Sequence, residues 1–361
     1  MRKPLFHLKP ALTFLLILSL HGCSGKPLIP YSDQSPPMIM LPLSFAGVDD
    51  GRGRFREILC AVLETHGRDL PDYRSCEEAL TRVGDEPPGS GQPVHLGDAS
   101  SDFLVGIVPG LGWDCFSNWL DLASSVPAHV SKYGYAFSLV KVDGLSGTLV
   151  NAGHIRTAID GLDPEHDGKP IILLGYSKGT PDILEFLVNH PQAAARIKAV
   201  VSISGAVGGS PLAIGASQDQ ADLLVHVPGS ECGKGDHGVV NSMLPDVRKQ
   251  WLADNPLPDH IRYYSVVSYP QPERISSILK SSYKKLGKVD GRNDSQVIYY
   301  DQIIPGSTLV AFTNADHWAM AVPIARSHSF IGSTMVNRND YPREAFVEAL
   351  LRYVEEDLAS R

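Results

Sequence analysis

Ile171-Ile172-Leu173-Leu174-Gly175-Tyr176-Ser177-Lys178-Gly179 decides the fold of this 361-residue chain. The apolar run at 171–174 reads as a strand buried on both faces, as in a parallel sheet. A tight G-x-S-x-G turn follows, and a helix is expected from about 179 to 190. The turn places the serine at a strained apex, where side chains at the flanking glycines would collide with the neighbouring strand or helix. The helix N-terminus beneath the serine offers free N–H groups and the positive dipole end to developing negative charge. Without the strand and helix around it, the same motif would read as a plain Gly-rich turn.

Working outward, apolar runs at 103–108, 136–142, 197–203, 262–267 and 308–312 read as further strands. Helices are expected near 151–162 and 343–358. Such alternation predicts an α/β, mostly parallel, doubly wound sheet over residues 101–361. Residues about 205–260 break the alternation with Gly, Pro and mixed polar sequence. They read as a lid-like insertion at the carboxyl edge of the sheet, where open α/β folds bind ligands. Residues 44–100 are expected to form an N-terminal helical appendage. Phe55, Ile58, Leu59, Val62 and Leu63 predict a helix over 52–65. Ser75-Cys76-Glu77-Glu78 reads as a capping box, and 85–92 as a loop.

The chain begins with a basic segment, Arg2, Lys3 and Lys9, and an apolar stretch from Ala11 to Leu20. That stretch is too short to span a bilayer, and residues 1–22 read as a removable signal peptide. It ends Leu20-His21-Gly22-Cys23, which resembles the lipobox of bacterial lipoproteins; His21 departs from the usual small or apolar residue. The resemblance implies lipidation at Cys23 and anchoring to the bacterial cell envelope, at the outer membrane or the periplasmic face. An ordinary secretory signal with an incidental cysteine is the alternative. Residues 23–43, rich in Pro and Ser, read as a tether. Cleavage removes three positive charges and no acid, taking the formal net charge from -8 to -11.

Of five cysteines, Cys60, Cys76, Cys115 and Cys232 then remain to pair in an oxidising compartment. Three pairings are possible; Cys60–Cys76 with Cys115–Cys232 is favoured because the first pair is local, against buried free thiols. With 43% hydrophobic and 20% charged residues the composition is ordinary globular, and no basic stripe suggests nucleic acid as a partner.

Taken together, the serine turn and the alternating elements resemble the α/β-hydrolase superfamily, lipase and carboxylesterase branch, over about two thirds of the chain. The family order is Ser, then Asp or Glu, then His. The resemblance implies His317 as base, in the loop past the last strand, rather than His260 or His328. It implies an acid among Asp290, Asp294 and Asp301. Asn293-Asp294-Ser295-Gln296-Val297 resembles the Asn-Asp-Gly-x-Val loop of many lipases, so Asp294 is preferred, with Asp290 second. Asp316 is set aside because adjacent side chains in an extended loop point apart. Pro109-Gly110-Leu111-Gly112 resembles the His-Gly-x-Gly oxyanion loop, and implies the Leu111 and Lys178 N–H groups as donors. Pro109 replaces the usual bracing His, so support for the loop must come from elsewhere. Ser204–Ala213 resembles a segment found after the sixth strand in many lipases.

The implied chemistry is acyl transfer on ester or lipid substrates, with no metal or cofactor. A thioesterase, amidase or peptidase would use the same residues. A non-catalytic envelope lipoprotein using the fold as a binding module is the rival from another class. The Lys178 side chain reads as a solvated charge on the first helical turn; binding an anionic substrate group is the alternative. Trp113, Phe116, Trp119, Tyr176 and Trp318 flank the expected site, as pocket walls or as core. Asp236-His237 reads as a surface turn. Protein partners are not readable from the sequence.

Overall fold

The computed structural model describes residues 47–117, 125–163, 166, 168–226 and 230–360. Cys23, the signal segment, the tether and Trp119 lie outside the described residues. Seven strands form one sheet: β1 Asp49–Asp50, β2 Leu104–Val108, β3 Ala136–Leu139, β4 Ile171–Tyr176, β5 Ile197–Ile203, β6 Arg262–Ser268 and β7 Thr308–Thr313. Their order is β1-β7-β6-β5-β4-β2-β3, and every pairing is parallel. Both faces are covered. Alternate strand residues feed two cores, with Ile172, Leu174 and Val201 on one side and Ile171, Leu173 and Val200 on the other.

The helices that position the site are α1 Arg52–Thr65, α2 Trp113–Phe116, α3 Thr148–Asp160, α4 Gly179–Asn189, α5 Pro245–Asp254 and α6 Arg343–Ala359. α1 and α6 share the first core, where Phe55 meets Phe346 edge-on at 5.5 Å between ring centroids. α3 and α4 share the second, through Ile155, Ile183 and Leu184.

Residues 44–100, expected as an appendage, are built into this domain from Val48 on. β1 adds a parallel edge to β7, with Asp49 opposite Thr308. The apolar face of α1 lies in the main core, because Phe55, Ile58, Leu59, Val62 and Leu63 are all buried. The Ser75 capping box forms as expected.

Both favoured disulfides are present, Cys60–Cys76 and Cys115–Cys232. The second ties α2, just past the loop after β2, to the insertion. Asp236 fastens the insertion a second time: its Oδ1 accepts the Gly147 N–H at 2.7 Å, and its own N–H donates to Ser146 Oγ at 3.1 Å.

Chain order reverses at β2: β3 lies on one side of it and β4 on the other. The loops after β2 and β4 therefore adjoin at the carboxyl edge of the sheet, the switch point where open α/β sheets bind ligands. Val108 pairs with Gly175, which sets residues 109–112 against Tyr176 and Ser177.

Candidate active site

Ser177 has φ +54°, the left-handed region, which costs a non-glycine residue about 1–2 kcal/mol. The turn is held there by three backbone bonds. Ser177 N–H donates to Ile203 O at 3.1 Å, while Ser177 O accepts from Thr180 N–H at 3.2 Å and Ala206 N–H at 3.0 Å. The glycines are obligatory. A Cβ on Gly179 would lie 2.1 Å from Val108 O, and one on Gly175 would lie 2.7 Å from Thr180 Cα.

The structure brings Ser177, His317 and Asp294 into one hydrogen-bonded chain. His317 Nε2 lies 2.8 Å from Ser177 Oγ, and His317 Nδ1 lies 2.7 Å from Asp294 Oδ2. His317 N–H also donates to Asp294 O at 3.0 Å. The other carboxylate oxygen, Asp294 Oδ1, accepts the N–H groups of Gln296 at 2.9 Å and Val297 at 2.7 Å. Each oxygen of Asp294 thus has a fixed task. Ser295, where the lipase-like loop has Gly, adopts φ +86° and donates its N–H to Asn293 Oδ1 at 3.0 Å. The Asx turn supplies part of what the glycine would provide.

The remaining candidates are elsewhere. Asp290 pairs with Arg292 at 2.6 Å, turned to its own loop. His260 is exposed before β6, and His328 N–H closes the turn at Ile324. Asp316 faces away from His317, accepting Ser276 N–H at 2.8 Å and Ala319 N–H at 2.9 Å. Its burial pushes its carboxyl up despite these donors.

Next to Ser177 lies the loop after β2; a Cβ on Gly110 would sit 2.9 Å from Ser177 Cβ. In that loop Gly112 N–H donates to Gly144 O at 3.1 Å and Trp113 N–H to Gly110 O at 3.4 Å. Gly144 N–H in turn donates to Asp114 Oδ1 at 3.1 Å. The turn at 143–145 thereby supplies the support that Pro109 cannot. Leu111 is 46% exposed at the mouth of the site. Trp113, Phe116 and Trp318 are half-buried, and Phe116 packs against the Cys115–Cys232 cluster.

One expectation fails here. Lys178 is not a solvated charge: it is 1% exposed, and its Nζ donates to both Asp182 oxygens at 2.8 and 2.9 Å. Burial nevertheless raises the Asp182 carboxyl to about 6, against the pull of Lys178. Tyr176, left open as pocket wall or core, is tied to the histidine. Its hydroxyl donates to His317 O at 2.7 Å, and its ring lies 5.2 Å from the imidazole. Burial drives this phenol well above its ordinary range, so it stays a donor. Tyr176→Phe is expected to cost about 1 kcal/mol of stability. Because the lost bond fixes the backbone that carries the imidazole, kcat should fall severalfold while KM holds; steady-state kinetics beside a thermal melt checks this.

Asp301, the third acid considered, is buried beside Gly208, and its Oδ2 has no hydrogen-bond partner. Burial raises its carboxyl to about 7. In the unfolded chain it titrates near ~3.9. The native state therefore holds the proton longer, and stability is lost as pH rises from about 4 to about 7. The full loss is about 4 kcal/mol. Asp301→Asn is expected to raise the melting temperature at pH 8 and leave it unchanged at pH 4. Equal shifts at both pH values would contradict the assignment.

Among the described residues, Asp114, Cys115 and Cys232 form the one acid and thiol cluster tight enough for a metal ion, and both thiols are consumed in the disulfide.

A seven-stranded parallel sheet, a strained serine between β4 and α4 and an acid–histidine–serine chain across its edge define a hydrolase. The chain matches no protein-family model and no curated protein. Among solved structures it is similar to the metagenomic carboxyl esterase MGS0156, with 39% identity and a TM-score of 0.83 over 92% of this chain and 100% of that one. The mature Bacillus licheniformis lipase BlEst2 shares 21% identity and a TM-score of 0.50 over 66% of this chain and 93% of that one. Staphylococcus hyicus lipase shares 11% identity and a TM-score of 0.55, over 75% of this chain and 100% of that one. The chain belongs to the α/β-hydrolase superfamily, among its ester-hydrolysing serine hydrolases.

Proposed function

We propose that the protein is an exported, lipid-anchored esterase that cleaves carboxylic esters through an acyl-enzyme on Ser177. Ser177 Oγ attacks the ester carbonyl as His317 Nε2 takes its proton. Asp294 holds the Nδ1–H tautomer and stabilises the imidazolium. The N–H groups of Leu111 and Lys178 bind the oxyanion. In the loop after β2, the Gly112 and Trp113 N–H groups are already engaged. His317 then protonates the leaving alcohol. Water, deprotonated by the same nitrogen, releases the acid and restores the serine. No step draws on a metal or cofactor.

One observation carries this reading: the unbroken chain from Asp294 Oδ2 through His317 to Ser177 Oγ, with both bonds under 3 Å. Similarity to a carboxyl esterase favours an ester over an amide or thioester as the bond cleaved. Export is supported by residues 1–22, and two disulfides suit an oxidising compartment. A Cys23 anchor with its tether would hold the domain at the cell envelope.

A fluorophosphonate probe is expected to label Ser177 in the folded protein and to fail after His317→Ala. Labelling elsewhere, or labelling indifferent to His317, would overturn the mechanism. Esters of increasing acyl length separate esterase from lipase. Mass spectrometry of the mature N-terminus tests the anchor, and an unmodified Cys23 removes it.

A further inference from the structure

We propose that the Lys178 side chain is the positioning residue of the oxyanion hole, holding both N–H donors through one buried polar chain. The inference rests on the assignment of Leu111 and Lys178 as those donors.

An ammonium withdrawn from water costs several kcal/mol, and a well-packed apolar pair would serve stability as well or better. The placement of Lys178 beside the nucleophile therefore calls for another reason, and its connections supply one. Nζ bridges both oxygens of Asp182, four residues further along α4. Asp182 Oδ2 also accepts the Asn151 side-chain amide at 2.8 Å, which reaches it from α3. The Asn151 amide donates to Asp143 O at 2.9 Å, and its Oδ1 accepts Asp143 N–H at 3.0 Å. Asp143 Oδ1 closes the turn on Leu145 N–H at 3.0 Å. From that turn Gly144 O takes the Gly112 N–H, and Gly144 N–H returns to Asp114.

The chain therefore starts at the residue carrying one donor and ends beside the residue carrying the other. Lys178, Asp182 and Asn151, the side chains at its centre, are buried at 1% exposure or less, and Asp114 at its end is half-buried. Asp182 neutralises the ammonium at contact distance, so Lys178 acts by placing backbone dipoles rather than by its own field. The energetic effect comes from geometry: a donor displaced from where the oxyanion forms stabilises the transition state less and leaves ground-state binding nearly unchanged.

The test uses two variants of the mature protein. Lys178→Met with Asp182→Leu replaces the buried pair by apolar side chains and strands neither member of it, while Arg248 keeps Glu185 at 4.0 Å. Asn151→Ala keeps the pair and cuts the chain at its middle. Active sites are titrated with a fluorophosphonate, and kcat and KM on a short soluble ester are expressed per titrated site. In the double variant kcat is expected to fall about 10²-fold, on the scale of one lost oxyanion donor, with KM changed less than about twofold. Asn151→Ala is expected to lower kcat about tenfold. In both, the affinity of a boronic acid, whose tetrahedral adduct fills the oxyanion hole, should fall by the same factor as kcat/KM.

An unchanged kcat per site in a folded variant overturns the inference, as does a loss confined to the number of titratable sites. Should the double variant not fold, Asn151→Ala decides alone. Failure of the wild-type protein to be labelled at Ser177 would instead refute the catalytic assignment beneath the proposal.

Discussion

His317→Ala is expected to lower kcat by about 10⁶, the scale seen when the base of a serine–histidine unit is removed. The imidazole makes both of the contacts on which proton transfer depends, at 2.8 Å to Ser177 Oγ and 2.7 Å to Asp294 Oδ2. Alanine leaves the hydroxyl without an acceptor for its proton. Ser177→Ala should cost about as much, and the double variant no more than either, because the two residues act as a unit. A residual ~10³–10⁴-fold rate over water should survive, carried by oxyanion donors and substrate binding. KM should move little, since neither side chain is needed to hold the ground state. The measurement is single-turnover hydrolysis of a chromogenic ester, with circular dichroism as the fold control. A double variant much slower than either single one would show that the residues work independently.

The particulars show what kind of information a sequence carries about this site. The serine turn was legible because two short-range patterns coincide there, an apolar strand run and a helix start, and each glycine answers a local clash. His317 was legible from its place after the last strand. Asp294 could be separated from Asp290 only through a loop resemblance. In the structure the distinction is local: Asp290 is taken by Arg292 two residues on, while Asp294 is free to face His317.

The burial of Lys178 was not legible, because a lone lysine defaults to the surface and the cover over its pair with Asp182, Asn151 of α3 included, comes from distant sequence. The sequence does carry one trace of the pair, the Asp182 spacing of one helical turn. The place of residues 47–100 in the core was also hidden. β1 is two residues long, too short for any periodicity, and its partner strand lies far away in sequence. Long-range pairing and buried charge are decided by tertiary contacts, and local pattern does not report them.

Asp294→Asn is expected to lower kcat by about 10⁴ with the fold intact, less than loss of the serine or the histidine. The reason lies in how the carboxylate is held. Oδ1 accepts the N–H groups of Gln296 and Val297, so in the variant the amide oxygen takes that place. The amide nitrogen then occupies the Oδ2 position and points a donor at His317 Nδ1, 2.7 Å away in the parent. Nδ1 must now accept, which moves the imidazole proton to Nε2, facing Ser177. The ring has the right position and the wrong tautomer, and it offers the serine a donor where a base is needed. Unlike His317→Ala, this variant should keep the size and packing of every side chain at the site, so its melting temperature should change little. Fluorophosphonate labelling should slow by the same factor as kcat. Asp294→Ala distinguishes this account from simple loss of charge: it removes the donor as well as the carboxylate and leaves Nδ1 free to keep its proton. Asp294→Ala is therefore expected to retain more activity than Asp294→Asn; the reverse order would refute the tautomer argument while leaving the acid's role standing.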